Sequence, residues 1–166
     1  MAATAAFLVT GIPGAGKTTI SHALAARFPR GAHIEADRLD ECIVSGGAPV
    51  DDPKRLALRA RNAALLAESF HDAGFIPVID DVVVGPRRWA LYRRRLRARP
   101  LHLVVLAPPL EVALERDELR SYKRVGPRWA HLDAELRSRL AGRGLWLDTA
   151  EMSPTEAVDE ILGRTG

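Results

Sequence analysis

Residues Gly11-Ile12-Pro13-Gly14-Ala15-Gly16-Lys17-Thr18 decide how this chain is read. They match G-x-x-x-x-G-K-[ST] at every fixed position. The apolar run 5–10 leads into the first glycine and reads as a buried strand. Beyond the loop, Ile20, Leu24 and Phe28 recur every four residues, which predicts an amphipathic helix over 17–28. A strand, a glycine loop and a helix in that order can wrap a polyphosphate. Backbone N–H groups turn inward, and glycine permits both the conformation and the close approach. The helix start adds the positive end of its dipole. Gly11, Ile12, Pro13, Gly14, Ala15 and Gly16 form the cradle, and Lys17 is expected at the β- and γ-phosphates. The Thr18 hydroxyl is expected on Mg²⁺, with Thr19 close by on the first turn. Such a loop implies a nucleoside triphosphate, and it serves kinases, hydrolases and switches alike.

Outward from the loop, the pattern alternates strands and helices. Residues 32–36 read as a weak second strand, and 37–44 as a short helix opened by Asp37. Asp51-Asp52-Pro53 opens a long helix to about residue 73, with Gly74 as its stop. A strand over 75–79 runs into Asp80 and Asp81, followed by a basic helix over 86–99. The segment 101–107 is the most strand-like of all. Helices over 108–119 and 131–140, a short strand over 145–147 and a helix over 153–162 complete the chain. The last helix carries the capping box Ser153-x-x-Glu156. Strands separated by helices imply an α/β fold with a parallel sheet covered on both faces. Ligands then bind at the carboxyl ends of the strands.

Composition narrows the class. A length of 166 residues fits one domain, 1–166, and 47% hydrophobic with 27% charged residues excludes wholesale disorder. Cys42 is the single cysteine, so neither an intramolecular disulfide nor a cysteine-based zinc site is possible. The expected setting is cytoplasmic and soluble: the start has no basic segment of the secretory kind, and no apolar run reaches membrane-spanning length. A net charge of +3 suits an anionic ligand as well as it suits nucleic acid.

Two carboxylate positions stand at predicted strand ends. Asp37 follows the second strand, whose tip would enter the crevice beside the phosphate loop. There it can take a proton from an attacking hydroxyl or organise Mg²⁺; it can also simply cap the following helix. Asp80 and Asp81 follow the third strand, where one of them can hold Mg²⁺ through water, bind substrate or simply be a polar strand end; Asp80 is the first choice. The remaining histidines and tryptophans show no ligand spacing.

Two arginine-rich segments compete for phosphate. Arg87, Arg88, Arg93, Arg94, Arg95, Arg97 and Arg99 spread around most of one helix, as on a solvated surface. Nucleic acid is therefore the less expected partner, although such arginines do contact phosphates. Arg116 and Arg120 share one helical face, at the entrance to a segment containing Gly126 and Pro127. A basic helix end running into a Gly/Pro segment suits a lid, about 116–130, that clamps phosphates and excludes water.

The order of the phosphate loop, the strand-end Asp37, Arg116-x-x-x-Arg120 and a late strand ending in Asp148-Thr149 resembles a known family. It is similar to the small P-loop kinases of the shikimate, gluconate and nucleoside monophosphate kinase fold. Lys123-Arg124-Val125 and Gly144-Leu145-Trp146-Leu147-Asp148-Thr149 look most like its chloramphenicol phosphotransferase-like group. The resemblance implies a five-stranded parallel sheet in the order 2-3-1-4-5, ATP with Mg²⁺ as donor and a hydroxyl of a small molecule as acceptor. It gives Asp37 the base role, Arg116 and Arg120 the phosphates, and 148–154 the adenine side. Polynucleotide kinases of the superfamily show Asp-x-x-Arg at the base strand, whereas here Asp37 is followed three residues later by Asp40. The expected function is thus ATP-dependent phosphoryl transfer to a metabolite or antibiotic. A nucleoside or RNA-end kinase, or an ATP-binding regulator, is the alternative.

Overall fold

The strand that leads into the phosphate loop, β1 (Ala6–Thr10), is buried along its whole length. In this computed structural model, which describes residues 5–119, 121 and 126–166, β1 lies at the middle of a five-stranded sheet. The other strands are β2 (Gly31–Glu35), β3 (Ile76–Asp80), β4 (Leu101–Leu106) and β5 (Leu145–Leu147). Their order is β2-β3-β1-β4-β5, as the resemblance implies. All four pairings are parallel. Central strands in such a sheet meet helices on both faces, so β1 and β4 are nearly continuous apolar runs. β2 is an edge strand with alternating burial, which is why its sequence signal is weak.

Among the described residues, six α-helices surround the sheet: α1 (Lys17–Ala25), α2 (Pro53–Asp72), α3 (Pro86–Arg95), α4 (Leu110–Glu118), α5 (His131–Arg139) and α6 (Pro154–Thr165). α2 starts as its sequence predicts, with Asp52 accepting from the N–H groups of Lys54 and Arg55 at 2.7 and 3.3 Å. Its inner face is the alanine series Ala60, Ala63, Ala64 and Ala67, all fully buried. Small side chains there let the helix lie close against β2, β3 and α3. α6 carries the expected capping box between Ser153 and Glu156.

Several boundaries differ from expectation. α1 stops at Ala25, and Arg27 and Phe28 continue in turns bonded to Leu24 and Ala25. The segment after β2 is a 3-10 helix, Ala36–Cys42, preceded by Glu35. Asp37 therefore lies inside the first turn and does not cap it. α3 ends at Arg95, short of residue 99: Leu96 and Ala98 turn into the core, and Pro100 disfavours helix in the residue before it. Two prolines likewise delay the start of α4 to Leu110. Among the described residues, no helix is long and apolar enough to cross a membrane.

Candidate active site

Register places the site. Asp80 on β3 pairs with Val9 on β1 and with Glu35 on β2. The three strands therefore end level, and Gly11, Asp37, Asp80 and Asp81 leave the sheet at one edge. The Thr10 hydroxyl ties two of these exits together: it donates to the Val83 carbonyl at 3.1 Å and accepts from the Val83 N–H at 2.8 Å.

The loop has the backbone that its glycines permit. Gly14 has φ +83°, and a Cβ there would stand 1.9 Å from the Ala113 carbonyl oxygen of α4. Gly16 has φ +93° and immediately precedes α1. The first N–H groups of any helix lack partners within it, and here they open toward the loop. Lys17, the first helical residue, is 7% exposed, and its Nζ donates to the Ile12 carbonyl at 3.1 Å. Thr18 is half-buried and Thr19 exposed.

Adjacent strand residues point to opposite faces of a sheet, so Asp80 and Asp81 part company. Asp80 turns toward the α1 side, where His33 Nε2 lies 2.5 Å from its Oδ2 and the His33 ring meets His22 of α1. Asp81 turns toward α2 and α3, accepting from Arg59 at 2.8 Å and from the Tyr92 hydroxyl at 3.0 Å. Thr18 and Asp80 each carry hard oxygen of the kind that suits Mg²⁺, an ion that keeps several waters and draws further ligands from phosphates. The residues present thus fit the ion, although the described residues contain no cluster of three metal-binding side chains.

Arg59 is the residue that the sequence reading missed. Its guanidinium, on α2, reaches Asp37 at 2.9 Å, Asp40 at 3.4 Å and Asp81 at 2.8 Å. Asp37 keeps a side-chain exposure of 36%, whereas that of Asp81 is fully buried. Burial pulls the Arg59 guanidinium down, but the charges of Asp81, Asp37 and Asp40 more than offset it and hold it above its ordinary value. Burial, followed by the charge of Asp81, pushes the Tyr92 hydroxyl well above its usual range, so it stays a donor. A signal for Arg59 was present: it stands four residues before Ala63 and eight before Ala67, on the alanine face of α2.

Arg116 reaches across to the loop after β5. Its Nη2 donates to the carbonyls of Thr149 and Ala150 at 2.8 and 2.9 Å. The Thr149 hydroxyl donates to the Ala15 carbonyl of the phosphate loop at 3.4 Å. Arg116 and Thr149 thus link α4, the β5–α6 loop and the 11–18 loop. Buried Asp117 accepts from the Gly126 N–H at 2.8 Å, joining the end of α4 to the segment before α5. Arg120, Lys123 and Arg124 lie outside the described residues. In the α3 region Arg87, Arg93, Arg94, Arg95, Arg97 and Arg99 are exposed, as expected of a solvated surface, and some of these arginines also bond within the protein. Arg88 donates to the Val82 carbonyl, Arg97 to Glu68 and Asp72, and Arg99 to the carbonyls of Arg93, Leu96 and Ala98.

Residues 7–141 match the AAA domain family. No curated protein matches the sequence. Among solved structures, the chain is similar to a sugar kinase from Janibacter sp. HTCC2649, with 21% identity over 96% of this chain and 93% of that one, at a TM-score of 0.76. It is also similar to the tunicamycin resistance protein of Deinococcus radiodurans, with 20% identity, 98% and 96% coverage and a TM-score of 0.73. A third similar structure is the Mycobacterium tuberculosis APS kinase in complex with AMPPNP and APS, at 15% identity, 98% coverage of both chains and a TM-score of 0.74. With a phosphate loop at the head of α1, the strand order β2-β3-β1-β4-β5 and a family match over most of its length, this chain belongs to the AAA domain family and has the fold of the small P-loop kinases.

Proposed function

We propose that the protein is an ATP-dependent phosphotransferase, cytoplasmic and acting as one catalytic unit, that moves the γ-phosphoryl group to a hydroxyl of a small molecule. The observation that carries this reading is a partly exposed carboxylate, Asp37, at the same sheet edge as the phosphate loop. A protein that only binds or slowly hydrolyses nucleotide has no need of a base beside an acceptor crevice. The 11–18 loop and the start of α1 hold the phosphates through backbone N–H groups, with Thr19 at the rim. Lys17 leaves the Ile12 carbonyl to offset charge on the transferred group. Thr18 and Asp80 would hold Mg²⁺, which supplies charge neutralisation at the phosphates. Asp37 accepts the proton of the attacking hydroxyl while Arg59 keeps it oriented. Arg116 shapes the adenine side by holding Thr149 and Ala150; a lid over about 116–130 that brings Arg120 to the phosphates is what the Arg116-x-x-x-Arg120 pattern implies.

An RNA-end kinase draws less support, because Asp37 is followed three residues later by Asp40, where polynucleotide kinases of the superfamily show an arginine. The test is a screen for ATP consumption over hydroxyl-bearing metabolites, antibiotics and RNA oligomers, with products identified by mass. A product heavier by one phosphoryl group on a small molecule is expected. Acceptor-independent hydrolysis alone, at a rate unchanged by every compound, would favour the regulator.

A further inference from the structure

The acceptor side of the proposed site is built around a guanidinium that is already committed. Arg59 is 7% exposed, and its two terminal nitrogens are divided among Asp37, Asp40 and Asp81. Its Nε is sealed from solvent and unpartnered. Among the described residues, the cations beside it have contacts of their own. Arg55 donates to the Ala48 carbonyl at 2.6 Å, with its Nε 3.4 Å from Asp40, and Arg88 donates to the Val82 carbonyl at 2.6 Å. Arg38 donates to Glu35 at 2.8 Å.

A carboxylate or phosphate on an acceptor whose hydroxyl rests against Asp37 would arrive beside Asp37, Asp40 and Asp81. To win Arg59 it must displace carboxylates that are covalently held in place. At Nη2 the carboxylate to be displaced is the fully buried Asp81, which would keep only the Tyr92 hydroxyl, and a buried charge that loses its counter-ion is strongly unfavourable. A neutral hydroxyl meets no such competition and donates to Asp37 or Asp40. An ammonium group adds charge attraction. We propose that the acceptor carries no anionic group near its reacting hydroxyl and is an uncharged or amine-bearing polyol, because Arg59 is spent on Asp37, Asp40 and Asp81. This rests on the phosphotransferase reading.

The test uses the full chain, ¹⁵N-labelled, with Mg²⁺ and AMPPNP. D-glucamine, D-glucitol and D-gluconate are titrated in; they share one carbon skeleton and differ at one end as amine, hydroxyl and carboxylate. Amide shifts over 36–40 and the Arg59 Nε–H signal report apparent affinity. Glucamine and glucitol should bind more tightly than gluconate, by about tenfold or more between the extremes. Equal responses, including none to any of the three, or gluconate the tightest, overturn the proposal. Asp40→Asn withdraws one carboxylate from Arg59 while leaving buried Asp81 paired, and should improve gluconate binding about tenfold relative to glucamine. An unaltered ranking in that variant would remove the assignment to Arg59. The amides of 11–18 serve as a separate readout: if AMPPNP leaves them unshifted, the phosphotransferase reading fails whatever the polyol ranking.

Discussion

Lys17 rests its ammonium on the Ile12 carbonyl, inside the loop whose phosphates it would meet. It has little to do with the apolar core, so Lys17→Ala should leave thermal unfolding nearly unchanged and abolish transfer. Calorimetry and turnover on the same preparation check this, and near-normal turnover would remove the phosphate-loop assignment. Arg59 behaves in the opposite way. Arg59→Met leaves Asp81 buried without its guanidinium and should cost about 3–5 kcal/mol of stability. Tyr92→Phe removes one hydrogen bond to the same carboxylate and should cost about 1.5 kcal/mol. Denaturant titration of both variants reads the two losses, and equal losses would contradict the placement of Arg59 at the centre of the network. The contrast explains what could be read from sequence at this scale. Lys17 and Thr18 belong to a motif whose chemistry is local, so eight consecutive residues reveal it. Arg59 draws its meaning from Asp37, Asp40 and Asp81, each about twenty residues away in sequence, and only the fold assembles them.

Helix α4 carries Arg116 against the loop that follows β5. Arg116→Ala should therefore loosen that loop and weaken ATP affinity, with a smaller effect on kcat at saturating ATP. Nucleotide titration beside steady-state kinetics separates the two, and an intact affinity with a collapsed kcat would return Arg116 to the phosphates. At α6, hydrogen bonds from the Ser153 side chain and then its backbone hold the Glu156 carboxyl below its ordinary value. A carboxyl lowered in the folded state stabilises above its unfolded range and loses that contribution as pH falls through the folded value. Ser153→Ala should accordingly lower Tm at pH 7 and lower it less at pH 3; an equal drop at both would point to the hydroxyl alone. Element legibility followed the strength of local signals. The capping box and the Asp52-Pro53 start of α2 were plain in the sequence. The ends of α1 and α3 were not, because each is set by where the chain must turn to reach the next strand.

Across the whole molecule, alternating apolar and amphipathic segments were enough to derive a parallel α/β sheet. They do not order its strands: the 2-3-1-4-5 arrangement came with the family resemblance, since adjacency depends on which crossovers pack together. That order has a functional consequence, because it sets the phosphate loop after β1 and Asp37 after β2 at one edge, with β3 between them. The central claim is that these two parts cooperate in one transfer. It is tested most directly by comparing wild type and Asp37→Asn for ATP affinity and for phosphoryl transfer to the acceptor found in the screen. The amide keeps the size of the carboxylate but cannot take the proton of the hydroxyl. The account predicts unchanged ATP affinity and a loss of transfer of roughly 10²–10⁴-fold. A loss smaller than about threefold, far below what a general base contributes, would contradict it and leave Asp37 a structural partner of Arg59.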